Sequence, residues 1–557
     1  MKHIKKAGFF DAGSKSYRLL SILFFLFVLS VCAALIFYDF TSFFYKRNLA
    51  MPCLALLVIS LVSLGAAISL FSSRLNSKMF GEGKRVDICV YVISAVLLIA
   101  HLLIAYQTRF LGSWDNGGLY TAAWNAVHGW SGIPFAPEGW NEYFTKELFN
   151  QYFSNYPNNT FLVALMMGVM CILKSIGIGG FSVPLLVFTC LNSVLCVVSG
   201  VLLYSILKSR CSHAISFFGF IAFVVLIGFS PWFLVAYSDS LVIAIPIFIC
   251  WIVTKMEGQP LSRVCPKMGV MVFVGLVGYF IKPQVIFILA AVLLVYVFPR
   301  VAAALKSACV SECLLIVASL LVGAAIAFLV KGVAGYVVSD SFEIDDSQSF
   351  SATHFFMMGL NDVSNGGFCA EDVFFSQSYS NKVERNAADL YRALERVSEK
   401  GADGVVLHGL KKQLTLWGDS SFGWNQEGGI AGTYTIMLKN SPSPFSLYLM
   451  ADLETEGQVI DTPYGAVVQI VWFMIVLSLF ASVKIGRDCR FVAVLMISIL
   501  CLGVFELCFE ARSRYLFAYV PVVILLACLA LDSIRNRCGL MVKNRQGRHA
   551  KNAEACG

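Results

Sequence analysis

Long runs of apolar residues separated by short polar stretches dominate the 557-residue chain. A helix of roughly 20 apolar residues crosses the hydrocarbon core of a bilayer, which is about 30 Å thick. Apolar runs that approach this length lie near 18–38, 50–71, 86–106, 160–176, 183–206, 213–229, 233–253, 268–281, 284–298, 311–330, 464–483, 491–505 and 515–531. The pattern therefore predicts an all-α polytopic membrane protein.

The composition supports this class. The chain is 58% hydrophobic and 14% charged, whereas soluble domains carry about a quarter charged residues. A chain this apolar could not cover a water-exposed surface with polar groups, which excludes a cytosolic enzyme, a secreted disulfide scaffold and a disordered chain. Most of the 18 cysteines lie in apolar runs, and no Cys/His spacing is typical of a zinc site.

The number of crossings depends on the sequence around Lys282, which is followed by a proline. The runs on either side are each too short to span, so we predict one long helix over 268–298, bent at the proline. Twelve crossings then place both termini on one side. Lys and Arg cluster near both termini, which predicts a cytoplasmic location for them. This count leaves Lys208, Arg210 and the basic residues of 255–267 on the outer face, against the positive-inside rule.

The basic C-terminal tail is interpreted as a topology anchor and not as a nucleic-acid-binding segment. The predicted organisation is an N-terminal anchor with three spans, an outer loop, a central membrane core, a large outer loop domain, the C-terminal spans and a cytoplasmic tail. The corresponding ranges are 1–106, 107–159, 160–330, 331–463, 464–531 and 532–557.

Two polar stretches form the predicted outer loops. Segment 107–159 is rich in Trp, Tyr, Asn and Gly, and we predict short surface helices over 117–127 and 142–153. Segment 331–463 carries 18 of the 34 acidic residues but only 9 of the 42 basic ones. Its apolar residues have helical periodicity over 382–399, and again over 404–417. We therefore expect a mostly helical, acidic domain outside the membrane.

Asp115 is the first residue that could carry chemistry, and it lies in the sequence GSWDNGG at 112–118. A carboxylate held beside the membrane can accept a proton from an incoming hydroxyl where bulk water is partly excluded. The alternative is that Asp115 only caps a short helix beginning at 117.

The sequence YPNN at 156–159 opens the next apolar run. A proline is compatible with the first turn of a helix. The side chains of Tyr156, Asn158 and Asn159 could then offer hydrogen bonds to a polar ligand. Simple capping of the helix by the two amides is the alternative.

A third group consists of ionisable residues inside or beside predicted spans, where charge is costly and indicates a functional site. Two arginines at the start of the last run could hold a phosphate through forked hydrogen bonds. The alternative for each cation is a salt bridge or snorkelling to the interface. The group comprises Asp239, Lys282, Glu506, Glu510, Arg512 and Arg514.

Together these features resemble the GT-C superfamily of membrane glycosyltransferases, which includes protein O-mannosyltransferases and bacterial enzymes that take a sugar from a polyprenyl phosphate. The resemblance lies in the layout of 86–531. Asp115 follows an early span in an outer loop, Lys282 interrupts a glycine-rich span, and an Arg-Tyr pair at 514–515 opens the last span. The chain departs from the family pattern in having two spans before the one that leads to Asp115, and in lacking a paired acidic residue there.

The resemblance implies an inverting transfer from a polyprenyl-phosphate-linked sugar to an acceptor glycan, lipid or protein at the outer face of the bilayer. It implies that Asp115 activates the acceptor hydroxyl. Arg512, Arg514 and Lys282 would stabilise the charge on the leaving phosphate. No metal ligands are predicted, and a divalent cation is the only cofactor left open. The expected pocket residues are Asn116, Tyr120, Tyr156, Asn158, Asn159, Asp239, Glu510, His354 and Trp417.

In the long loop, several residues are expected to cover the pocket and to select the acceptor, namely His354, Asn361, Lys382, Trp417 and Asp419. A Trp side chain is a good stacking platform for a sugar, but packing in a core is the alternative for Trp417.

Three other functions stay open. A secondary transporter also has about twelve spans, but we would expect two similar halves with paired broken helices, which the sequence lacks. A lipid-linked polysaccharide polymerase also combines many spans with a large outer loop. A scaffold without catalytic activity is the third alternative. The absence of a Gly-x-x-x-x-Gly-Lys-Ser/Thr loop argues against direct use of ATP.

Overall fold

The computed structural model of the chain describes residues 10–11, 13–41, 53–72, 83–107, 109–111, 115–133, 139–307, 309–424, 436–437 and 463–555. Nearly all of these residues are helical. Among the described residues, two short strands, β1 (Phe110–Leu111) and β2 (Ile436–Met437), pair in an antiparallel arrangement. The prediction of an all-α polytopic membrane protein is confirmed.

The helices are numbered here in chain order. The first half of the chain contains α1 (Lys15–Thr41), α2 (Cys53–Ser72), α3 (Gly83–Gln107), α4 (Asp115–His128), α5 (Trp140–Tyr143), α6 (Lys146–Asn155), α7 (Thr160–Ser175), α8 (Ser182–Arg210), α9 (His213–Phe223), α10 (Ser238–Leu241), α11 (Ala244–Met256) and α12 (Leu261–Ile281).

The second half contains α13 (Ile286–Val292), α14 (Phe298–Lys306), α15 (Val310–Ser341), α16 (Ala352–Gly359), α17 (Ala370–Gln377), α18 (Lys382–Trp417), α19 (Pro463–Ser478), α20 (Cys489–Cys508) and α21 (Val520–Ala555). Short 3-10 or π segments extend or precede several helices: Pro157–Asn159, Val224–Gly228, Pro231–Leu234, Pro283–Val285, Leu293–Val297, Asp346–Gln348, Leu479–Lys484 and Ser513–Tyr519.

Contacts between helix termini define two opposite ends of the bundle. At one end, Arg210 pairs with Glu257 at 2.5 Å and with Asp488 at 3.2 Å. At the other end, the hydroxyl of Tyr237 donates a hydrogen bond to Asp115 at 3.2 Å. We call these the Arg210 end and the Asp115 end. Helix α8 and the helices from α10 to α11 each run from the Asp115 end to the Arg210 end.

The single bent helix predicted over 268–298 is wrong. Helix α12 ends before Lys282, whose backbone is extended with φ −146° and ψ 110°. A proline disfavours the helical conformation of the residue before it and donates no hydrogen bond, so the chain breaks there. Lys282 pairs with Asp239 at the Asp115 end. The hydroxyl of Tyr296 then reaches Glu257 at the Arg210 end, at 3.1 Å. The two runs are therefore two crossings.

Helix α7 begins and ends at the Asp115 end, although the run 160–176 was predicted to cross. Near its start, the ring of Phe161 lies 5.6 Å from that of Phe280, at the last turn of α12. At its other end, Lys174 Nζ donates to the carbonyl of Val127 at 2.6 Å, on the last turn of α4. The run is apolar enough to span, but hydropathy reports only the surroundings of a helix, and not where its ends lie.

The next helix, α8, also starts at the Asp115 end. There the side chain of Arg109, directly after α3, donates to Ser182 at 2.9 Å. Eleven helical stretches of the described residues are long and apolar enough to cross a membrane, and two shorter apolar helices, Ala55–Ser69 and His213–Gly228, accompany them. Leaving out α7 and adding the two shorter helices gives twelve crossings.

The revised path places the basic connections at one end. The α1 residue Tyr17 donates to the carbonyl of Ile485 at 2.9 Å, and Arg487 pairs with Asp532 of the last helix. Both described ends of the chain thus lie at the Arg210 end, together with Lys208 and the segment 255–267. The sequence had placed these basic residues on the side opposite the termini, against the positive-inside rule. That conflict came from two wrong predictions, the single helix over 268–298 and the crossing over 160–176.

The structure refines the predicted polar segments in three ways. Helix α4, predicted to lie along the membrane surface, is covered by other parts of the protein over most of its length. Helix α15 continues to Ser341, ten residues past the predicted start of the large loop at 331. The two helices predicted over 382–399 and 404–417 are present and joined in α18, with a break at Gly401 (φ 64°). The loop residues 425–435 and 438–462 lie outside the described residues.

Helix α15 packs against α12 through a pair of glycines. A β-carbon added to Gly323 would lie 2.2 Å from the carbonyl oxygen of Gly269, so the two helix backbones touch there. Small residues at such crossings allow the close packing that stabilises helix pairs in a bilayer. Further along α15, Gly332 has open space around it.

We expect Gly323→Ala to destabilise the purified protein by about 1–3 kcal/mol, because the added methyl group forces the two backbones apart. The measurement is thermal unfolding in detergent. Gly332→Ala adds the same methyl group to the same helix and should leave the midpoint unchanged or slightly raised. Equal midpoints for the two variants would contradict the glycine crossing.

The path of α7 predicts which cysteines share a compartment. In a cysteine-free background, Ser175→Cys should react with an impermeant thiol reagent from the same side as Asp340→Cys at the end of α15. Lys306→Cys, at the opposite end of the bundle, should react only from the other side. If Ser175→Cys and Lys306→Cys react from one side, α7 crosses the membrane after all.

Candidate functional site

Asp115 forms the centre of a polar cluster. It is the first residue of α4 and is half-buried, and the positive end of the helix dipole favours a negative charge there. The hydroxyl of Tyr237, just before α10, donates to its carboxylate at 3.2 Å. Two segments more than a hundred residues apart therefore meet at one carboxylate.

Arg514 joins this cluster from the opposite end of the chain. Its guanidinium carbon lies 5.2 Å from the ring centre of Tyr237 and 5.8 Å from that of Tyr515. The ammonium of Lys282 lies 4.6 Å from the same Tyr515 ring. A carboxylate and two cations predicted from distant sequence positions thus share one end of the bundle, and tyrosine rings separate them.

Lys282 and Asp239 form a buried ion pair. Their residues are 4% and 0% exposed, and within the described part of the chain the second carboxylate oxygen of Asp239 has no hydrogen-bond partner. Glu506 near the end of α20 is also buried and lies within electrostatic range of Lys282. Because an unpaired charge in such surroundings is costly, the pair is stable only as a unit.

Glu510 and Arg512 form a second ion pair at this end, at 2.6 Å. The hydroxyl of Tyr515 donates to the other carboxylate oxygen of Glu510 at 3.3 Å. The guanidinium of Arg512 lies 5.7 Å from the ring of Phe368. Two of the three cations predicted to bind phosphate, Arg512 and Lys282, therefore hold carboxylates in this structure.

Three tyrosines near Asp115 remain hydrogen-bond donors. Burial, and after it the charge of Asp115, raises the pKa of Tyr152 and of Tyr237 above the usual range. Burial also raises the pKa of Tyr156, with smaller contributions from Glu510 and Asp115. Protonated phenols around a carboxylate can orient it without neutralising it.

The YPNN segment contributes to the same cluster. The side chain of Asn159 donates to the Tyr152 hydroxyl at 2.6 Å, and Asn158 is exposed and donates to Asn159 at 3.4 Å. Asn116 is buried directly beside Asp115 in the first turn of α4. The contacts of Asn158 and Asn159 run to Tyr152, a residue that the sequence did not predict, and their role in a pocket stays a prediction.

Two residues predicted to line the pocket instead pack in the core. The Trp417 ring stacks on Trp472, with the ring centres 5.8 Å apart, and it is 1% exposed. The buried hydroxyl of Tyr120 donates to the carbonyl of Phe181 at 2.5 Å. Neither ring can stack on a sugar, because protein atoms cover both of them.

His354 lies in a buried hydrogen-bond chain in the segment 342–424, which we call the outer segment after the side predicted from the sequence. Its Nδ1 is 2.7 Å from the Ser376 hydroxyl, which donates to Asp389 at 2.7 Å. Burial lowers the pKa of His354 to about 4. Its ring stacks on Phe350, which in turn contacts Tyr156 edge-on at 5.2 Å. His354 thus supports Tyr156 through Phe350. Its contacts with other described residues do not include Asp115.

The other long-loop residues hold the outer segment together. Asn361 donates to Asp372 at 2.9 Å, and Lys382 donates to Ser349 at 2.6 Å. The carboxylate of Asp419 accepts two backbone N–H groups of the turn that follows it, at 2.8 and 2.9 Å. These contacts are structural, whereas the sequence predicts a role for the three residues in selecting the acceptor.

The turn after Asp419 attaches the outer segment to the site. The indole of Trp232 donates to the carbonyl of Phe422 at 3.0 Å, and Ser513 donates to the carbonyl of Thr415 at 2.7 Å. The next residue of the turn, Gly423, lies against the backbone of Arg514. The position of Arg514 therefore depends on the outer segment.

The sequence does not predict that Tyr152, Tyr237 and Tyr515 belong to the site. Tyrosine is common at both membrane interfaces and in cores, so its presence alone gives no indication. The useful signal was position, since Tyr237 and Tyr515 each lie within two residues of an ionisable residue at a helix start. Within the described part of the chain, no group of three or more His, Cys, Asp or Glu side chains could hold a metal ion.

A family model described as a conserved hypothetical integral membrane protein matches residues 12–534. The chain belongs to this family. No curated protein and no solved structure matches the chain. Membership agrees with the predicted multi-span membrane protein embedded in a lipid bilayer, and glycosyl transfer stays a prediction.

Lys412 connects the outer segment to the loop that carries Glu510. It is fully buried, and its ammonium group donates to the carbonyls of Gly359 at 2.8 Å and Phe509 at 2.6 Å. Burial lowers the pKa of Lys412 to about 7. In an unfolded chain this lysine would have its ordinary pKa of 10.5 and would stay protonated up to about that pH.

Between these two pKa values the unfolded chain binds more protons than the folded one, so stability should rise with pH. We expect the thermal midpoint of the purified protein to increase by about 2–4 °C from pH 7 to pH 9.5 through this group. Lys412→Met should lose the increase, and Lys411→Met should keep it. An unchanged slope in Lys412→Met would contradict the assignment.

Proposed function

We propose that this protein is a membrane glycosyltransferase that moves a sugar from a polyprenyl-phosphate donor to an acceptor hydroxyl. The observation that carries the proposal is the meeting of Asp115, Tyr237 and Arg514 at one end of the bundle. This arrangement offers an anion for the acceptor proton and a cation for the leaving group a short distance apart. The layout that resembles the GT-C superfamily supports the same chemistry.

In the proposed step, the oxygen of the acceptor hydroxyl attacks the anomeric carbon of the sugar. Asp115 accepts the proton of that hydroxyl at the same time. The bond between that carbon and the phosphate oxygen breaks, and the polyprenyl phosphate leaves with the bonding electrons. Attack from the face opposite the phosphate inverts the anomeric centre. Tyr237 orients Asp115 by donating to one of its oxygens.

Arg514 is the cation we assign to the leaving phosphate. Arg514 lies over Tyr237, next to the carboxylate that takes up the proton. Opposite charges in these positions stabilise both sites where charge develops in the transition state.

We propose that the Asp115 end faces the outside of the cell. The positive-inside rule places cationic residues beside spans in the cytoplasm. The Arg210 end gathers Lys15, Arg18, Lys84, Arg85, Lys208, Arg210, Lys255, Arg263, Lys267, Arg300, Lys306, Lys484, Arg487, Arg490, Arg535 and Arg537. Both termini would then be cytoplasmic, and the outer segment would meet acceptors outside the membrane.

The test is Asp115→Asn in protein reconstituted with polyprenyl-phosphate-linked hexoses and pentoses and a mixture of glycan, lipid and peptide acceptors. The measured quantity is the release of polyprenyl phosphate together with the labelled product. We expect the rate to fall about 100-fold or more, because the amide cannot accept the proton. Asp340→Asn removes an exposed carboxylate at the same end and should keep the wild-type rate.

The thermal midpoint of Asp115→Asn should stay close to that of the wild type, which separates lost chemistry from lost folding. A variant that folds and transfers at the wild-type rate would refute the role of Asp115. If the wild type releases no polyprenyl phosphate from any donor of the panel, glycosyl transfer from this class is refuted.

One observation favours a transporter as the second function. Buried ionisable side chains such as Asp239, Lys282 and Glu506 are typical of ion pathways through membranes. Proteoliposomes that take up a solute under a proton or sodium gradient, without any change in lipid-linked sugars, would support that alternative.

A further inference from the structure

A groove of about 590 Å³ opens at the Arg210 end, away from the Asp115 cluster. One wall is formed by the first turns of α1, and the other by the connection from α19 to α20. Arg537 of α21 closes one edge. The groove lies at the depth where α1 enters the apolar part of the bundle.

The rim of the groove is cationic. Arg18, Lys484 and Arg537 are exposed, and their side chains converge on the groove from three different segments. Among the residues that the structure describes, those that line the groove include no Asp or Glu. This rim therefore attracts an anion, and a group with a planar or tetrahedral set of oxygens can bridge the cations.

The wall below the rim is apolar and faces outward. Ile22 and Phe25 of α1 are 57% and 39% exposed, and both line the groove. The floor includes Tyr17, whose hydroxyl donates to the carbonyl of Ile485 at 2.9 Å and so fixes the wall opposite α1. A polar rim above an open apolar wall matches a molecule with an anionic head and a hydrocarbon chain.

We propose that this groove binds an anionic phospholipid, with its phosphodiester between Arg18, Lys484 and Arg537 and one acyl chain along Ile22 and Phe25. A soluble phosphate or nucleotide would use only the rim and would leave the apolar wall uncovered. A zwitterionic lipid would place its own cation among the three cations of the rim. The inference is independent of the proposed glycosyl transfer, because the groove lies at the opposite end of the bundle.

The experiment uses the full-length protein in nanodiscs that contain phosphatidylglycerol and phosphatidylcholine in equal amounts. After extraction into mild detergent, native mass spectrometry counts the lipids that the protein retains. We expect selective retention of phosphatidylglycerol. Each of Arg18→Gln and Lys484→Gln should lower the preference about fivefold, since a basic residue near an anionic surface contributes about 1 kcal/mol, which corresponds to about a fivefold change in affinity.

The matched control is the double variant Arg263→Gln and Lys306→Gln, which removes two exposed cations from the same end but outside the groove. It should retain phosphatidylglycerol as the wild type does. A photoactivatable phosphatidylglycerol should label the peptide 13–25, and less strongly in Arg18→Gln. The two groove variants are tested singly, so that impaired folding of a double groove variant cannot obscure the result.

Three outcomes would overturn the proposal. Equal loss of phosphatidylglycerol from the groove and control variants would mean that only the overall charge of this end matters. Equal retention of phosphatidylcholine would remove the role of the cations. Displacement of the lipid by millimolar inorganic phosphate would show that the site takes the phosphate group alone.

Discussion

A charge surrounded by apolar helices must have an opposite charge next to it, and this requirement determines the architecture around Lys282. The ammonium of Lys282 finds Asp239, and the proline after Lys282 ends α12 at that point. The chain can therefore turn back into the bundle at the Asp115 end. The same pair aligns the starts of α10 and of the helix after the break, which fixes Tyr237 beside Asp115.

Much of the membrane core could be predicted, because apolar runs are the direct record of a hydrocarbon environment. The direction of α7 could not, since a helix that returns to the same end is as apolar as one that crosses. The break at Lys282 was visible as a proline but was interpreted as a bend. Whether a proline kinks or ends a helix depends on its partners, and Asp239 is 43 residues away.

The candidate site was predictable where charged residues stand beside apolar runs of the sequence. Asp115, Arg514 and Lys282 stand out as charges beside apolar runs, and the structure brings them to one end. Trp417 and Tyr120 were assigned to the pocket because aromatic rings suit sugars, but the same rings also suit a core. Tyr152 and Tyr237 beside Asp115 were missed for the same reason, since pattern alone does not separate these two environments.

The return of α7 has a consequence for the shape of the protein in the bilayer. A helix with both ends at one end of the bundle adds cross-sectional area on that side only, next to the buried α4. Such a helix presents both of its ends, and the polar groups beside them, to one membrane interface only. It should therefore disturb the packing of lipids in that leaflet and leave the opposite leaflet undisturbed.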